Sequence, residues 1–190
     1  MWALIEDGSI TKHLRGNRGI TIGDIQYSRN IFSFRWSNEE REAIGLYEVV
    51  FDNTNKKDQE YYTNTNQSFA FAGEVVTASY GSATAKALAD VTENGVTTPG
   101  LKSNHKRSIK QQANGLLTPL DWHVIKATEV ESYSVPSAIT TYRANVRTRS
   151  NEMEVLIDAC STVDELAALY TYTGDPGSQT RPLGEWPEEV

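Results

Sequence analysis

The spacing of hydrophobic residues changes once along the chain, near residues 81–100, and this change limits the folds open to it. Before it, short runs of β-branched and aromatic residues alternate with glycine-containing turns, which is typical of strands. After it, apolar residues recur at the three- and four-residue spacing of amphipathic helices. We therefore predict an α+β fold, with an antiparallel β-rich N-terminal half built on two hairpins and a small helical C-terminal array.

The same change of pattern divides the chain of 190 residues into regions. We predict a β-rich N-terminal domain over residues 1–80 and a helical C-terminal domain over residues 101–173. Residues 81–100 are small, polar and turn-rich, which indicates a linker or exposed excursion. Residues 174–190 form an acidic tail that contains proline and glycine and lacks periodicity, a composition typical of disorder.

Two hairpins are predicted in the N-terminal half. Asp7-Gly8 lies between strand-like runs at residues 2–5 and 9–11, and this dipeptide suits the positive-φ positions of a tight turn. A second pair of strand-like runs lies at residues 68–71 and 74–80, and the residues between them are predicted to form the turn of a hairpin. Both pairs are short-range, so the turns themselves specify them.

An aromatic alternation lies between the two hairpins. Phe32, Phe34 and Trp36 are spaced two residues apart, so in a strand they would share one face. We expect that face to pack on the core of the β-rich half.

Several signals predict helices. The pair Ser37–Glu40 has the spacing of a capping box, which predicts a helix over residues 38–44, and the pair Thr162–Glu165 predicts another over residues 163–170. A basic stretch from residue 102 onward predicts a helix that stops at Gly115.

Two more helix starts are predicted in the second half. One is near Asp121-Trp122, and the other is at Pro136-Ser137. The basic stretch Lys102–Lys110 is interpreted as a solvated face or a dock for an acidic partner.

Charge and hydropathy exclude several partners. The formal net charge of −7 argues against a nucleic-acid partner, because displacing the counterions of phosphates requires lysine and arginine. No run of 18 apolar residues occurs, and acidic residues follow the first few apolar ones, so we expect neither a membrane segment nor export. With Cys160 as the one cysteine, no internal disulfide can form, which favours a reducing cytoplasm.

No motif predicts catalysis, so we expect no catalytic residue, no metal site and no cofactor. His13, His105 and His123 are far apart in sequence and lack ligand spacing. Cys160 is interpreted as a small buried residue. The stretch Gly16–Gly19 lacks the Lys-Ser/Thr and the helix of a phosphate loop, which favours a simple turn.

One short pattern in the second half resembles a known class of proteins. It consists of Gly115-Leu116-Leu117, Asp121-Trp122, Pro136, Ile139 and Tyr142-Arg143 with Arg147 four residues later. The pattern is similar to that of bacteriophage tail-fibre assembly and tail assembly chaperone proteins, and to structural proteins of marine and cyanobacterial phages. The hairpin from Met1 to Ile10 is also similar to the opening of those proteins. Together the matching stretches cover about a third of the chain and leave residues 12–100 unaccounted for.

The resemblance implies a non-enzymatic phage tail or tail-fibre protein that acts by protein–protein contact, as an assembly factor or accessory virion component. The alternatives are a connector or decoration subunit of the mature virion and, less favoured, a hydrolase acting on polysaccharide. The implied partners are other tail or virion proteins, a trimeric fibre among them, and self-association is left open. The implied location is the host cytoplasm during assembly, or the virion tail.

Five residues are candidates for partner binding. Trp186 is included because its proline-flanked acidic tail offers no local core to cover it, so the ring would suit a partner's pocket. The other four candidates have an opposing, structural interpretation. In it, the rings of Trp122 and Tyr142 pack on each other, and Arg143 and Arg147 pair with acidic side chains. The candidates are Trp122, Tyr142, Arg143, Arg147 and Trp186.

Overall fold

The computed structural model describes residues 1–189, so Val190, the last residue of the predicted tail, lies outside the described residues. The chain divides into two compact units, Met1–Thr84 and Ala85–Val190. Strands dominate the first unit and helices the second, which confirms the α+β prediction.

The first unit is built mainly from short strands. They are β1 (Trp2–Glu6), β2 (Ser9–Leu14), β3 (Ile20–Ile22), β4 (Ile25–Tyr27), β5 (Leu46–Asp52), β6 (Tyr62–Thr63), β7 (Gln67–Ala72) and β8 (Val75–Tyr80), and β9 (Thr84–Ala85) follows at the boundary.

Five of these strands form one sheet in the order β2-β1-β5-β8-β7. Both predicted hairpins are present, β1 with β2 and β7 with β8, and their turn residues Asp7 and Glu74 adopt positive φ. The sheet is not purely antiparallel, because β5 and β8 run parallel. A third hairpin pairs β3 with β4.

Alternation along the strands gives the sheet two buried faces. On one face, Ala3, Val49 and Val76 lie in a cluster flanked by aromatic side chains. On the other face, Leu4 and Leu46, which pair across β1 and β5, are completely buried. The period of two explains both faces, since successive side chains of β1 point to opposite sides.

The predicted aromatic strand is wrong. Arg29–Phe32 forms a 3₁₀ turn, and Phe34 is 95% exposed rather than packed on a core. The physical reason is the buried guanidinium of Arg41, which donates to the carbonyl oxygens of Ile31 at 2.8 Å and Ser33 at 2.5 Å. These bonds use backbone acceptors that a sheet would otherwise need.

Helix α1 (Asn38–Glu42) begins where the capping box predicts it. The Ser37 hydroxyl accepts from the Glu40 N–H at 3.1 Å, and the Glu40 carboxylate accepts from the Ser37 N–H at 2.7 Å. The helix is two residues shorter than predicted and leads to Gly45, whose φ of +78° takes the chain into β5.

The second unit begins with a hairpin and continues with helices. Its elements are β10 (Val91–Glu93), β11 (Val96–Thr98), α2 (Leu101–Leu117), a 3₁₀ turn (Thr118–Leu120), α3 (Asp121–Glu129), α4 (Ser137–Ala159) and α5 (Val163–Tyr170). The β10–β11 hairpin lies within the predicted linker and is not anticipated by the sequence.

Helix α2 does not stop at Gly115, which corrects that prediction. Gly115 is a weak helix former, but packing against α4 on both sides of it, through Ala113 and Leu117, outweighs the propensity cost of about 1 kcal/mol. The starts of α3 at Asp121 and of α4 at Ser137 are confirmed. No helix within residues 1–189 has the length and apolar character needed to cross a membrane.

Candidate partner-binding surface

Among the α-helices that the structure describes in the second unit, α3 alone buries none of its residues. It follows the 3₁₀ turn at Thr118–Leu120 and starts with Asp121, whose charge suits a helix N-terminus. Trp122 is 50% exposed and Ile125 is 57% exposed. At a spacing of three residues, these two side chains share one face of the helix. Within residues 1–189, that face therefore carries two large apolar side chains that remain at least half exposed.

Two further rings adjoin Trp122, that of His123 within α3 and that of Tyr133 beyond its end. The ring of Trp122 stacks on that of His123, with centroids 3.6 Å apart, and the Tyr133 ring is inclined by 28° to Trp122 and by 17° to His123. The Tyr133 hydroxyl and the His123 Nδ1 atom are hydrogen-bonded. The ammonium group of Lys126 lies 4.5 Å from the Tyr133 ring centre and 5.8 Å from that of Trp122. The stack fixes the rings in one arrangement without burying them.

Arg143 fastens the start of α3 to α4. Its guanidinium donates to the Leu117 carbonyl oxygen at 2.9 Å and to the Asp121 carboxylate at 2.7 Å. The side chain is largely buried, whereas the Asp121 side chain is half exposed. A planar fork with several donors suits this double role. Arg143 therefore positions α3.

Tyr142, the neighbour of Arg143 on α4, lies inside the second unit. It forms a buried cluster with Ala113 and Val146, and Leu120 and Trp186 pack against that cluster. Its hydroxyl has no hydrogen-bond partner among residues 1–189. Burial of the hydroxyl, with a smaller contribution from a nearby carboxylate, raises the pKa of Tyr142. Tyr142 is a core residue, and it does not pack on Trp122.

Arg147 is exposed on α4, one turn after Arg143. Its guanidinium donates to the Arg143 carbonyl oxygen at 3.3 Å and forms no ion pair with any residue that the structure describes. Of the two arginines, Arg143 is committed to holding the fold and Arg147 retains donors for another molecule.

Trp186 packs on the chain's own helices, so the premise that its tail has no local core is wrong. The indole Nε1 donates to the Gln112 side-chain oxygen at 2.9 Å, and the ring packs against the cluster around Tyr142. The tail is further held by Arg149, which donates to the carbonyl oxygens of Leu183 and Glu185. The described part of the tail is thus ordered by its own unit.

The structure therefore separates the five candidates. Three of them lie in or beside the buried cluster around Tyr142: Tyr142 itself, its neighbour Arg143, and Trp186. The other two, Trp122 and Arg147, are exposed. Sequence reasoning missed Ile125 and Tyr133. The spacing of Trp122 and Ile125 was a visible signal for the first, but no local pattern links Tyr133 to a ring ten residues earlier.

The groups most able to do chemistry have structural surroundings. Cys160 is buried, its thiol lies 3.4 Å from the Leu156 carbonyl oxygen, and desolvation raises the pKa of the thiol. The buried ring of His105 packs on Tyr170. Within residues 1–189, no three or more His, Cys, Asp and Glu side chains are grouped so as to hold a metal ion.

Comparisons with protein-family models, with curated proteins and with solved structures give no match to this chain.

Proposed function

We propose that this chain works without catalysis by binding another protein through the exposed face of α3, as an assembly factor or accessory component of a bacteriophage tail or tail fibre. The observation that carries the binding role is that α3 buries none of its residues while it exposes Trp122 and Ile125. The phage tail as the setting rests on the sequence resemblance around Asp121-Trp122 and Tyr142-Arg143.

The chemistry of the α3 face indicates what its partner offers. Trp122 provides a large ring of the kind that dominates binding energy in interfaces, and the stack with His123 and Tyr133 holds it in place before binding. Lys126 lies beside the rings and forms no ion pair with a described residue. The partner surface is therefore an apolar pocket with a carboxylate at its edge, on another tail protein.

A polysaccharide hydrolase is less well supported. Such an enzyme needs an acid whose pKa is raised so that it is protonated at neutral pH. Hydrogen bonds from the Ser103 hydroxyl and the Gly100 N–H lower the pKa of Asp90, and hydrogen bonds from Thr54 lower that of Asp52. Both shifts are opposite in direction to what a general acid requires.

The proposal is tested by affinity capture of tail proteins on the immobilised chain, with the captured tail or fibre subunit quantified by mass spectrometry. We expect Trp122→Ala to reduce capture at least tenfold, since removal of a central anchor costs about 2 kcal/mol or more. Phe34→Ala is the matched control, because it removes an aromatic ring that is 95% exposed in the first unit. Equal capture by the Trp122 and Phe34 variants would contradict the proposal.

A second measurement divides the proposal into its two forms. Mass spectrometry of purified mature virions, quantified against the major capsid protein, reports whether the chain remains in the particle. Stoichiometric presence identifies a virion component, in which case the connector or decoration role is the one to pursue. Absence, combined with capture of the fibre subunit by the chain, identifies an assembly factor.

A further inference from the structure

A pocket of about 590 Å³ lies against the loop between β2 and β3 in the first unit. Its walls include Lys12, Arg15 and Arg18, together with the apolar side chains of Leu14 and Phe32. This volume lies within the range of pockets that hold small ligands, roughly 300–1,000 Å³. A second hollow of about 630 Å³ shares Arg18 with the first and adds Arg29 to the wall.

The charge on these walls is of one sign. In the part of the chain that the structure describes, the lining side chains include the cations Lys12, Arg15, Arg18 and Arg29 and no carboxylate. None of these four cations forms an ion pair with a described residue. This clustering occurs in a chain whose formal net charge is −7, so it departs from the average charge of the surface.

Several cations of the second unit are paired with acidic side chains, although Lys126 and Arg147 form no ion pair with a residue that the structure describes. Lys106 pairs with Asp158 at 2.8 Å, and Arg181 pairs with Glu185 at 2.9 Å. Like charges close together repel one another, and a protein commonly relieves this repulsion with an internal acid. The first unit leaves the repulsion at its loop uncompensated, as a site for an external anion does.

The backbone of the loop is fixed by packing. Gly16 has a φ of +72°, and a Cβ atom there would lie 3.2 Å from the Phe32 side chain and 3.3 Å from the Trp2 ring. Gly19 lies against the carbonyl group of Tyr27. Because the two glycines hold the loop on these neighbours, Arg18 between them and Arg15 directly before Gly16 extend from a defined backbone.

We propose that this loop binds a small ligand that carries two or more phosphate groups. The guanidinium groups of Arg15 and Arg18 match phosphate oxygens with paired donors, and several cations together suit a multiply charged ligand. The loop lacks the Lys-Ser/Thr and the following helix of a nucleotide-binding phosphate loop, so side chains and not a helix N-terminus provide the binding. This site is independent of α3 and of the partner-binding role.

The test is calorimetric titration of the full chain with pyrophosphate and, separately, with fructose 1,6-bisphosphate at low ionic strength. We expect the double variant Arg15→Gln/Arg18→Gln to bind both probes at least tenfold more weakly than the unaltered chain. The matched control is Arg107→Gln/Lys110→Gln, which changes the net charge equally at exposed positions of the second unit. Circular dichroism verifies that both variants are folded.

The relative affinities of the two probes identify the ligand class. Tighter binding of the sugar bisphosphate identifies a phosphorylated carbohydrate as the ligand class, and equal binding of the two probes identifies the phosphate groups alone. The proposal is overturned if neither probe binds at millimolar concentration, or if the control variant loses as much affinity as the loop variant. Tighter binding of a 20-base-pair DNA duplex, lost in the loop variant, would overturn it in favour of a nucleic-acid site.

Discussion

Helices α3 and α4 are adjacent in sequence and use their side chains in opposite ways. Helix α4 buries Tyr142, Val146, Met153 and Ile157 along one face, with Arg143 among them. Helix α3 buries nothing and exposes a tryptophan and an isoleucine. Because folding is driven mainly by burial of apolar surface, α4 stabilises the second unit and α3 contributes little to that stability. An apolar face that the fold does not use is available for binding.

The largest change in the free energy of unfolding is expected at the centre of α4. Met153 is completely buried, so Met153→Ala should lower the free energy of unfolding by about 2–5 kcal/mol through lost burial and a cavity. Urea denaturation followed by circular dichroism measures the loss. Val155→Ala is the control on the same helix, since Val155 is 67% exposed, and it should change stability by less than about 0.5 kcal/mol. Similar losses for both variants would remove the distinction between the two faces of α4.

The next effect concerns the residue that joins the two helices. Arg143→Ala removes the donors to the Leu117 carbonyl oxygen and the Asp121 carboxylate, and should cost about 1–3 kcal/mol. Arg147→Ala, one turn later on the exposed side, should cost almost nothing. Hydrogen exchange of the α3 amides adds a local readout, because loss of the anchor should speed exchange in α3 more than in α5. Unchanged exchange in α3 would show that Arg143 does not position it.

A smaller change in the free energy of unfolding, of opposite sign, is expected from Tyr142→Phe. Its hydroxyl is buried without a partner among residues 1–189, so Tyr142→Phe should raise the free energy of unfolding by about 1 kcal/mol at pH 7. Burial raises the pKa of Tyr142 in the folded state, so its contribution to stability is complete below about pH 10 and is lost as pH rises through the folded pKa. The gain from Tyr142→Phe should therefore grow above pH 10. A loss of stability at pH 7 would indicate that the hydroxyl has a partner.

Local signals made much of the fold predictable. Asp7-Gly8 and the capping boxes at Ser37–Glu40 and Thr162–Glu165 specify their elements through atoms a few residues apart, and the structure has all three. The errors share a different cause. The backbone at residues 31–33 is set by Arg41, and α2 continues through Gly115 because α4 packs on it. Such tertiary contacts join residues far apart in sequence, so the pattern of neighbouring residues does not predict them.

The candidate surface was predictable only in part, for the same reason. Trp122 stands out in the sequence, but its exposure depends on how Arg143 and Asp121 set the start of α3. Trp186 looked free because its tail lacks periodicity, yet a hydrogen bond to Gln112, 74 residues earlier, holds it. Sequence reasoning named suitable residue types and could not tell which of them the fold itself uses.

The most direct test of the proposed contact surface places a photo-reactive amino acid at Ile125, on the exposed face of α3, and identifies the proteins that it crosslinks under conditions of phage tail assembly. We expect an adduct with a tail or fibre subunit that Trp122→Ala abolishes while the free energy of unfolding changes by less than about 0.5 kcal/mol. The same amino acid at Val155 should give no such adduct. An equal yield of the adduct from position 155, or unfolding caused by Trp122→Ala, would contradict the claim that α3 is a contact surface and not part of the core.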